Sequence, residues 1–551
     1  MKLPTWRDAV RVLHEPAQSE SPTALETRTH PAWQRIKFDE LLAQQMALRD
    51  AKILREGESA PAISPTGLLG GLLRQRLPFK LTAPQERSLA EALVDMARAT
   101  PMTRLLQGDV GSGKTVVAAL AALSAIEAGY QVAFMAPTEL LAEQHFNKLR
   151  HWLSDLPITL TWLTGSLPAA EQKAAQAACK KGVTHIAIGT HALFQKKVSF
   201  AKLGLIVVDE QHRFGVEQRL QLRQRGLNSP PPGGGEPAPA KAGGLGEREV
   251  APDPSLEATP TPSPQPSPPG GGSPALAPHT LMMSATPIPR SLAMSYYADL
   301  DVSVIDELPQ GRQPITTKLV GEARRGEIAS RIYEATQRGA QAYWVCPLID
   351  ESELMEVELQ NATALYADLV LIMPNVKVAL LHGRMKADEK AAIMADFAAN
   401  RVQVLVATTV IEVGVDVPNA SWMVIEHAER FGLAQLHQLR GRVGRGAAAS
   451  TCILLFGDKL SDTAKLRLKV IFENTDGFII AREDLRIRGP GELLGPRQSG
   501  LPSLRYANIE EDIALVEAAR NAATRLENDS TFDKSAFIDR WIKNRAEFAK
   551  A

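Results

Sequence analysis

Gly108-Asp-Val-Gly-Ser-Gly-Lys-Thr115 fits the pattern Gly-x-x-x-x-Gly-Lys-Thr. In that pattern the glycines let successive backbone N–H groups turn toward an anion, and the N-terminus of the following helix adds its partial positive charge. The neighbouring sequence supplies the context this chemistry needs. Met102-Thr-Arg-Leu-Leu-Gln107 reads as a short strand and the Ala/Leu-rich run from Val116 to Ala128 as a helix, which gives the order strand, loop, helix. Gly108, Asp109, Val110, Gly111, Ser112 and Gly113 are therefore expected to cradle the phosphates of ATP. Lys114 is expected to reach the β- and γ-phosphates, and Thr115 to hold Mg²⁺.

About a hundred residues further on, the apolar run Leu203-Gly-Leu-Ile-Val-Val208 ends in Asp209-Glu-Gln-His212. A carboxylate at the C-terminal end of a buried parallel strand can hold Mg²⁺, and its neighbour can polarise an attacking water. Asp209 is expected at the metal and Glu210 at the water. In Leu436-His-Gln-Leu-Arg-Gly-Arg-Val-Gly-Arg-Gly446, three arginines fall within six positions with glycines between them. Such spacing lets guanidinium groups come close to a phosphate, so Arg442 and Arg445 are expected to complete catalysis from a second domain.

The chain of 551 residues is long enough for two to four domains. Lys+Arg and Asp+Glu both number 62, so overall charge does not point to nucleic acid; any such contact must come from local patches. One such patch spans residues 431 to 500, with eleven Lys/Arg against seven Asp/Glu. Cys179, Cys346 and Cys452 are far apart in apolar contexts and read as reduced core thiols of a cytoplasmic protein. No uninterrupted apolar run approaches the ~20 residues a membrane span requires, so no membrane partner is expected.

Two blocks alternate apolar strand-like runs with helical ones. The first contains Gln131–Met135, Ile158–Leu163, His185–Ile188, Leu205–Val208 and Thr280–Met283. The second contains Ala342–Cys346, Val376–Leu381, Val402–Val406, Trp422–Ile425 and Thr451–Leu455. Each predicts a doubly wound parallel α/β sheet. The expected division is a helical lead-in over 1–80, with Pro31 to Arg55 its longest helix, a first motor domain over 81–310, a second over 311–460, and a C-terminal helical segment over 461–551. Residues 228–278 are dominated by Pro, Gly, Ser and Ala and repeat one phrase, Ser229-Pro-Pro-Pro-Gly-Gly-Gly235 and Ser267-Pro-Pro-Gly-Gly-Gly272. That composition cannot bury enough apolar surface to fold, and it predicts a disordered insertion between two core strands.

Taken in order, these motifs resemble those of superfamily 2 helicases. The set comprises Gln85, the phosphate loop, Ala136-Pro-Thr-Glu-Leu-Leu-Ala-Glu-Gln144, Gly189-Thr-His191, Asp209-Glu-Gln-His212, Ser284-Ala-Thr286, His382-Gly-Arg-Met385, Ala407 to Asp416 and Gln438 to Arg445. Within that superfamily the resemblance is to the RecG family of ATP-dependent DNA helicases, carried by His212-Arg-Phe-Gly215, Thr286-Pro-Ile-Pro-Arg290, Ile305-Asp-Glu-Leu-Pro309 and Arg488-Gly-Pro-Gly-Glu-Leu-Leu-Gly495.

The resemblance implies two tandem RecA-like motor domains followed by a helical hairpin and a translocation loop. It implies that Gln85 reads adenine and that Gly414 and Asp416 meet the nucleotide from the second domain. Gln211, His212, Ser284, Thr286 and Gln438 would couple nucleotide state to DNA grip. Thr138, Thr190, His382, Arg384 and Thr408 would face the DNA backbone, with Arg488, Arg497 and Gln498 in the translocation loop. Pro496 departs from the family, which has Thr there, and proline removes an N–H from that loop.

The family also carries an N-terminal OB-fold wedge, whose strands are not found here, so the chain is expected to begin just after it and to unwind forks poorly. The implied function is ATP-driven translocation on double-stranded and branched DNA with 3′→5′ polarity, in recombination and repair, by a monomer associated with the nucleoid. Two rival readings are a non-catalytic DNA-binding remnant, against which intact Lys114, Glu210 and Arg445 count, and a superfamily 2 RNA helicase, against which the translocation loop counts.

Overall fold

A computed structural model of the chain describes residues 3–195, 197–210, 276–285, 300–307, 314–347, 352–408, 417, 419–444, 446, 449–488, 504–508, 512–527, 529 and 531–542. The first apolar block folds into a seven-stranded sheet with the order β3-β4-β2-β5-β6-β1-β7. Its strands are β1 (Thr103–Gly108), β2 (Gln131–Met135), β3 (Leu160–Leu163), β4 (Ile186–Gly189), β5 (Leu203–Val208), β6 (His279–Ser284) and β7 (Asp301–Ile305). Every pairing is parallel. Central strands of such a sheet are covered on both faces, which is why β2 and β5 are buried at every position and read as unbroken apolar runs.

The second block forms a six-stranded, all-parallel sheet with the order β10-β11-β9-β12-β13-β8. Its strands are β8 (Ile315–Gly321), β9 (Gln341–Val345), β10 (Val378–Leu381), β11 (Val404–Ala407), β12 (Ala420–Ile425) and β13 (Ser450–Phe456). The two doubly wound sheets are thus present as expected. Two strands were not legible in the sequence. β7 and β8 each close one edge of a sheet, and β8 alternates between half-buried and exposed positions, so neither carries a continuous apolar run.

Most of the expected insertion lies outside the described residues, but the strands flanking it are in register. β5 pairs with β6 from Leu205 opposite His279 to Val208 opposite Met282. His279, the first residue of β6, is buried, with Nδ1 accepting from the Met102 N–H at 3.0 Å and Nε2 donating to the Pro61 carbonyl at 2.7 Å. All three cysteines are buried free thiols, and burial pushes the Cys452 thiol up to about 12.

The ends of the chain share one hydrophobic core. Leu41, Leu42 and Met46 of helix Pro31–Glu56 pack with Leu515, Val516 and Ala519 of helix Ile513–Leu526 and with Ile538 of helix Lys534–Trp541. An ion pair of 2.9 Å between Lys37 and Asp512 ties the same elements. Beside it the buried Glu40 carboxylate accepts three backbone N–H groups, from Arg505 at 2.6 Å and from Tyr506 and Ala507 at 2.9 Å each. Glu40→Ala leaves these donors without their acceptor, a local loss of about 3 kcal/mol. Amide exchange at 505–507 should then accelerate about a hundred-fold by mass spectrometry, with exchange in the two sheets unchanged. Unchanged exchange at 505–507 would show that Glu40 does not hold the segment.

Candidate ATP site and nucleic-acid interface

Because every strand of the first sheet runs the same way, the loops after β1, β5 and β6 emerge at one edge. Helix Lys114–Glu127 starts directly after the phosphate loop, with Gly111 at φ +81° and Gly113 at φ +89°. These are left-handed conformations that glycine adopts without strain, and they turn the loop back on itself. Lys114 Nζ donates to the carbonyls of Gly108 at 2.7 Å and Asp109 at 3.0 Å, so the ammonium lies inside the loop. Ser112 Oγ is buried without a hydrogen-bond partner among the described residues. A loop with a cation at its centre, an unmet hydroxyl and a helix N-terminus suits a polyphosphate.

Gln85 is buried at the N3 position of helix Ala83–Met96. Its Oε1 accepts from the Thr82 N–H at 2.9 Å, and its Nε2 donates to the Ser112 carbonyl at 2.8 Å. The side chain therefore braces the phosphate loop and keeps one N–H and one lone pair in reserve.

Asp209 follows β5, and its N–H donates to the Met135 carbonyl of β2 at 2.9 Å. Its Oδ2 lies 2.7 Å from Nε2 of His145, a buried histidine on helix Glu139–Trp152 that packs on Phe134. Burial opposes ionisation of Asp209, yet the hydrogen bond and charge of His145, with Lys114 nearby, hold its carboxyl below the usual carboxylate range. A hydroxyl at Thr115 and an ionised carboxylate at Asp209 are hard oxygen donors that suit Mg²⁺. Glu210 sits at φ +49°, a strained conformation for a residue with a side chain and one often found at functional sites. Its backbone N–H donates to Asp209 Oδ1 at 3.0 Å, which orients the Asp209 carboxylate on the following peptide. Ser284, also buried, ends β6 opposite Gln107 of β1.

The second domain meets this site through helix Leu433–Arg440 and the Gly-Arg turn after it. His437 Nε2 lies 2.6 Å from Asp109 Oδ1. Gly441 approaches Val110 so closely that an added Cβ would lie 2.8 Å from the Val110 Cβ, and Gly444 (φ +76°) approaches Ile315 in the same way. The glycine spacing in this motif is therefore a packing requirement. Gln438 and Arg442 are buried.

The expected DNA contacts divide by exposure. Thr138 caps helix Glu139–Trp152, accepting from the Leu141 N–H at 3.4 Å. Thr190 and Thr408 are buried immediately after β4 and β11, His382 follows β10 half-buried, and Arg384 is exposed. These positions all lie after the C-terminal ends of parallel strands. Arg488 ends helix Gly477–Arg488. Gln211, His212, Thr286, Gly414, Asp416, Arg445, Arg497 and Gln498 lie outside the described residues.

Two residues in the site were not singled out from sequence. His145 directly follows the quoted Ala136–Gln144 motif and His437 directly precedes Gln438. Their partners lie 64 and 328 residues away, so only a place beside a motif, or for His437 within the quoted Leu436–Gly446 stretch, marked them.

Two parallel α/β domains with a phosphate loop on the first and a Gly-Arg segment of the second against it define a tandem RecA-like helicase motor. Family models agree in order: DEAD/DEAH box helicase over 82–295, helicase conserved C-terminal domain over 327–447, and ATP-dependent DNA helicase RecG, domain 3, C-terminal over 474–547. The chain is 47% identical over 550 residues to ATP-dependent DNA helicase RecG of Acidithiobacillus ferridurans, and 46% identical over 548 residues to that of Escherichia coli (strain K12). Each match covers 99% of this chain and 72% of the relative. A solved structure of RecG bound to a three-way DNA junction aligns with TM-score 0.65 and 36% identity over 93% of this chain, which spans 65% of that one. The chain belongs to the RecG family of ATP-dependent DNA helicases.

The Gly441 to Val110 approach gives a direct test of closure. Gly441→Ala should lower ATP turnover about ten-fold or more without lowering the melting temperature, because it holds the second domain off the phosphate loop. Adding Val110→Ala should recover most of the loss by removing the atoms the new methyl meets. An equally active Gly441→Ala chain would mean the two surfaces do not meet during turnover.

Proposed function

We propose that this chain is an ATP-dependent DNA translocase and helicase acting on branched DNA, such as stalled forks and Holliday junctions, in recombination and repair. One observation carries the reading: the phosphate loop lies in contact with the second domain's Gly-Arg segment, in a chain whose C-terminal part matches RecG domain 3. ATP is the energy source and Mg²⁺ the metal. Thr115 and Asp209 would hold the ion, which supplies charge neutralisation at the phosphates. The motor works as a monomer on double-stranded and branched DNA with 3′→5′ polarity, at the nucleoid in the cytoplasm. No helix among the described residues is long and apolar enough to cross a membrane.

The chemistry follows from the residues. Lys114 exchanges the carbonyls of Gly108 and Asp109 for phosphate oxygens, adding positive charge where negative charge develops. Glu210, next in the chain to Asp209, orients and deprotonates the attacking water. Arg442 and Arg445 approach from the second domain, so the site is complete only when the domains are together. Thr138, Thr190, His382, Arg384 and Thr408 receive the DNA backbone along the strand ends, Gly414 and Asp416 meet the nucleotide, and Arg488, Arg497 and Gln498 meet the duplex. Gln211, His212, Ser284, Thr286 and Gln438 link the two sites. The match to RecG domain 3 supports DNA over RNA as the track, and an intact ATP site supports a working motor over a non-catalytic remnant.

Steady-state ATP turnover with three-way junction DNA, linear duplex, RNA or no nucleic acid tests this. Junction DNA should stimulate turnover most, and Lys114→Ala or Glu210→Gln should lower stimulated turnover at least about a hundred-fold. Turnover indifferent to both substitutions, or stimulated best by RNA, would overturn the assignment.

A further inference from the structure

His437 stands in the middle of a continuous chain of hydrogen bonds that crosses from one motor domain to the other. On one side its Nε2 lies 2.6 Å from Asp109 Oδ1 in the phosphate loop. On the other, its Nδ1 lies 3.0 Å from Arg440 Nη2, one turn along the same helix. A guanidinium can only donate, so Nδ1 accepts, Nε2 carries the hydrogen, and the ring donates to Asp109. The direction of every bond is thereby fixed.

Arg440 extends the chain further. It is buried, and it donates through Nη1 to the carbonyls of Ile471 and Asn474 at 2.8 Å each and through Nη2 to that of Thr475 at 3.2 Å. Those carbonyls lie at the corner between helices Asp462–Glu473 and Gly477–Arg488, the hairpin that leads into the segment carrying Arg497 and Gln498. At the other end, Asp109 Oδ1 also accepts the Val110 N–H at 2.7 Å, and the Asp109 carbonyl accepts from Lys114 Nζ. Burial would push the Asp109 carboxyl up, but the hydrogen bond from His437, the Val110 N–H and the nearby Lys114 ammonium hold it below the usual range, so it is an anion facing the ring.

We propose that His437 is a positioning residue that ties the conformation of the phosphate loop to the C-terminal helical hairpin, coupling ATP turnover to DNA movement. The inference rests on the functional reading above. ATP entering the loop draws Lys114 from the Asp109 carbonyl, and the Asp109 side chain transmits that change to the ring and through Arg440 to the hairpin corner. Coupling through a buried, fully directional chain needs both ring nitrogens.

The test compares the full chain with His437→Phe, which keeps an aromatic ring but neither hydrogen bond, and His437→Gln, which can still donate and accept. Turnover is measured with and without three-way junction DNA, and translocation by displacement of a triplex-forming strand per ATP consumed. Whatever its effect on turnover itself, His437→Phe should lower triplex displacement per ATP consumed about ten-fold or more, in the range of typical coupling energies. His437→Gln should restore part of the loss. In an Asp109→Ala background, His437→Phe should add nothing, since the link is already cut. That comparison also serves if His437→Phe alone folds poorly. Wild-type displacement per ATP in His437→Phe, or additive losses in the double variant, would overturn the inference. An unaltered chain without DNA-stimulated turnover would instead overturn the functional reading on which it stands.

Discussion

Val110 of the phosphate loop and Gly441 of the second domain touch where a single methyl group would intrude, and the assembly of the catalytic site depends on that approach. The residues assigned to chemistry come from two separate sheets. Lys114, Thr115, Asp209 and Glu210 belong to the first, and Arg442 and Arg445 to the second. No rearrangement within one domain can bring them together. The constraint is steric, so it acts at short range: displacement by the width of a side chain separates the Gly-Arg turn from the phosphate loop while leaving each domain folded. A site built this way is switched by distance between domains.

Each half is held ready by buried contacts. The phosphate loop is braced from behind by Gln85 and from within by Lys114, so its shape is largely set before nucleotide arrives. Asp209 is kept ionised in a buried position because His145 supplies a hydrogen bond that offsets desolvation. Glu210 takes up backbone strain that its neighbours impose, and strain of about 1–3 kcal/mol is tolerable only where the surrounding strands are rigid. β2, β5 and β6 provide that rigidity, since they are in register on either side of the long Pro- and Gly-rich segment.

The parts of the candidate site that were legible in the sequence are those built from local stretches. Gly108 to Thr115 is contiguous between a strand-like and a helical run, and Asp209-Glu210 ends an apolar run, so both could be singled out from local sequence. Central strands were legible because burial on both faces makes them uniformly apolar, whereas β7 and β8 at the sheet edges were not. The histidines were hidden for a different reason. His145 and His437 look like ordinary helix residues until folding places Asp209 and Asp109 beside them, and no periodicity records a contact across hundreds of residues. The same holds for Glu40, whose three backbone donors come from the far end of the chain.

Those long-range contacts place two anchors on either side of residues 489–503. Before them, Arg440 grips the hairpin corner at Ile471, Asn474 and Thr475 and so attaches it to the second domain. After them, Glu40 grips Arg505, Tyr506 and Ala507 and attaches them to helix Pro31–Glu56. The chain following that helix is bonded to the first domain, through Ala60 to Ala99, Ile63 to Met96 and Ser59 to Ala277. One anchor therefore travels with the second domain and the other with the first. Any change in the separation of the two domains must change the separation of the anchors, because both are built from buried, multiply bonded groups that resist stretching. The distance between the Gly-Arg turn and the phosphate loop is then linked to the distance between the hairpin corner and residues 505–507.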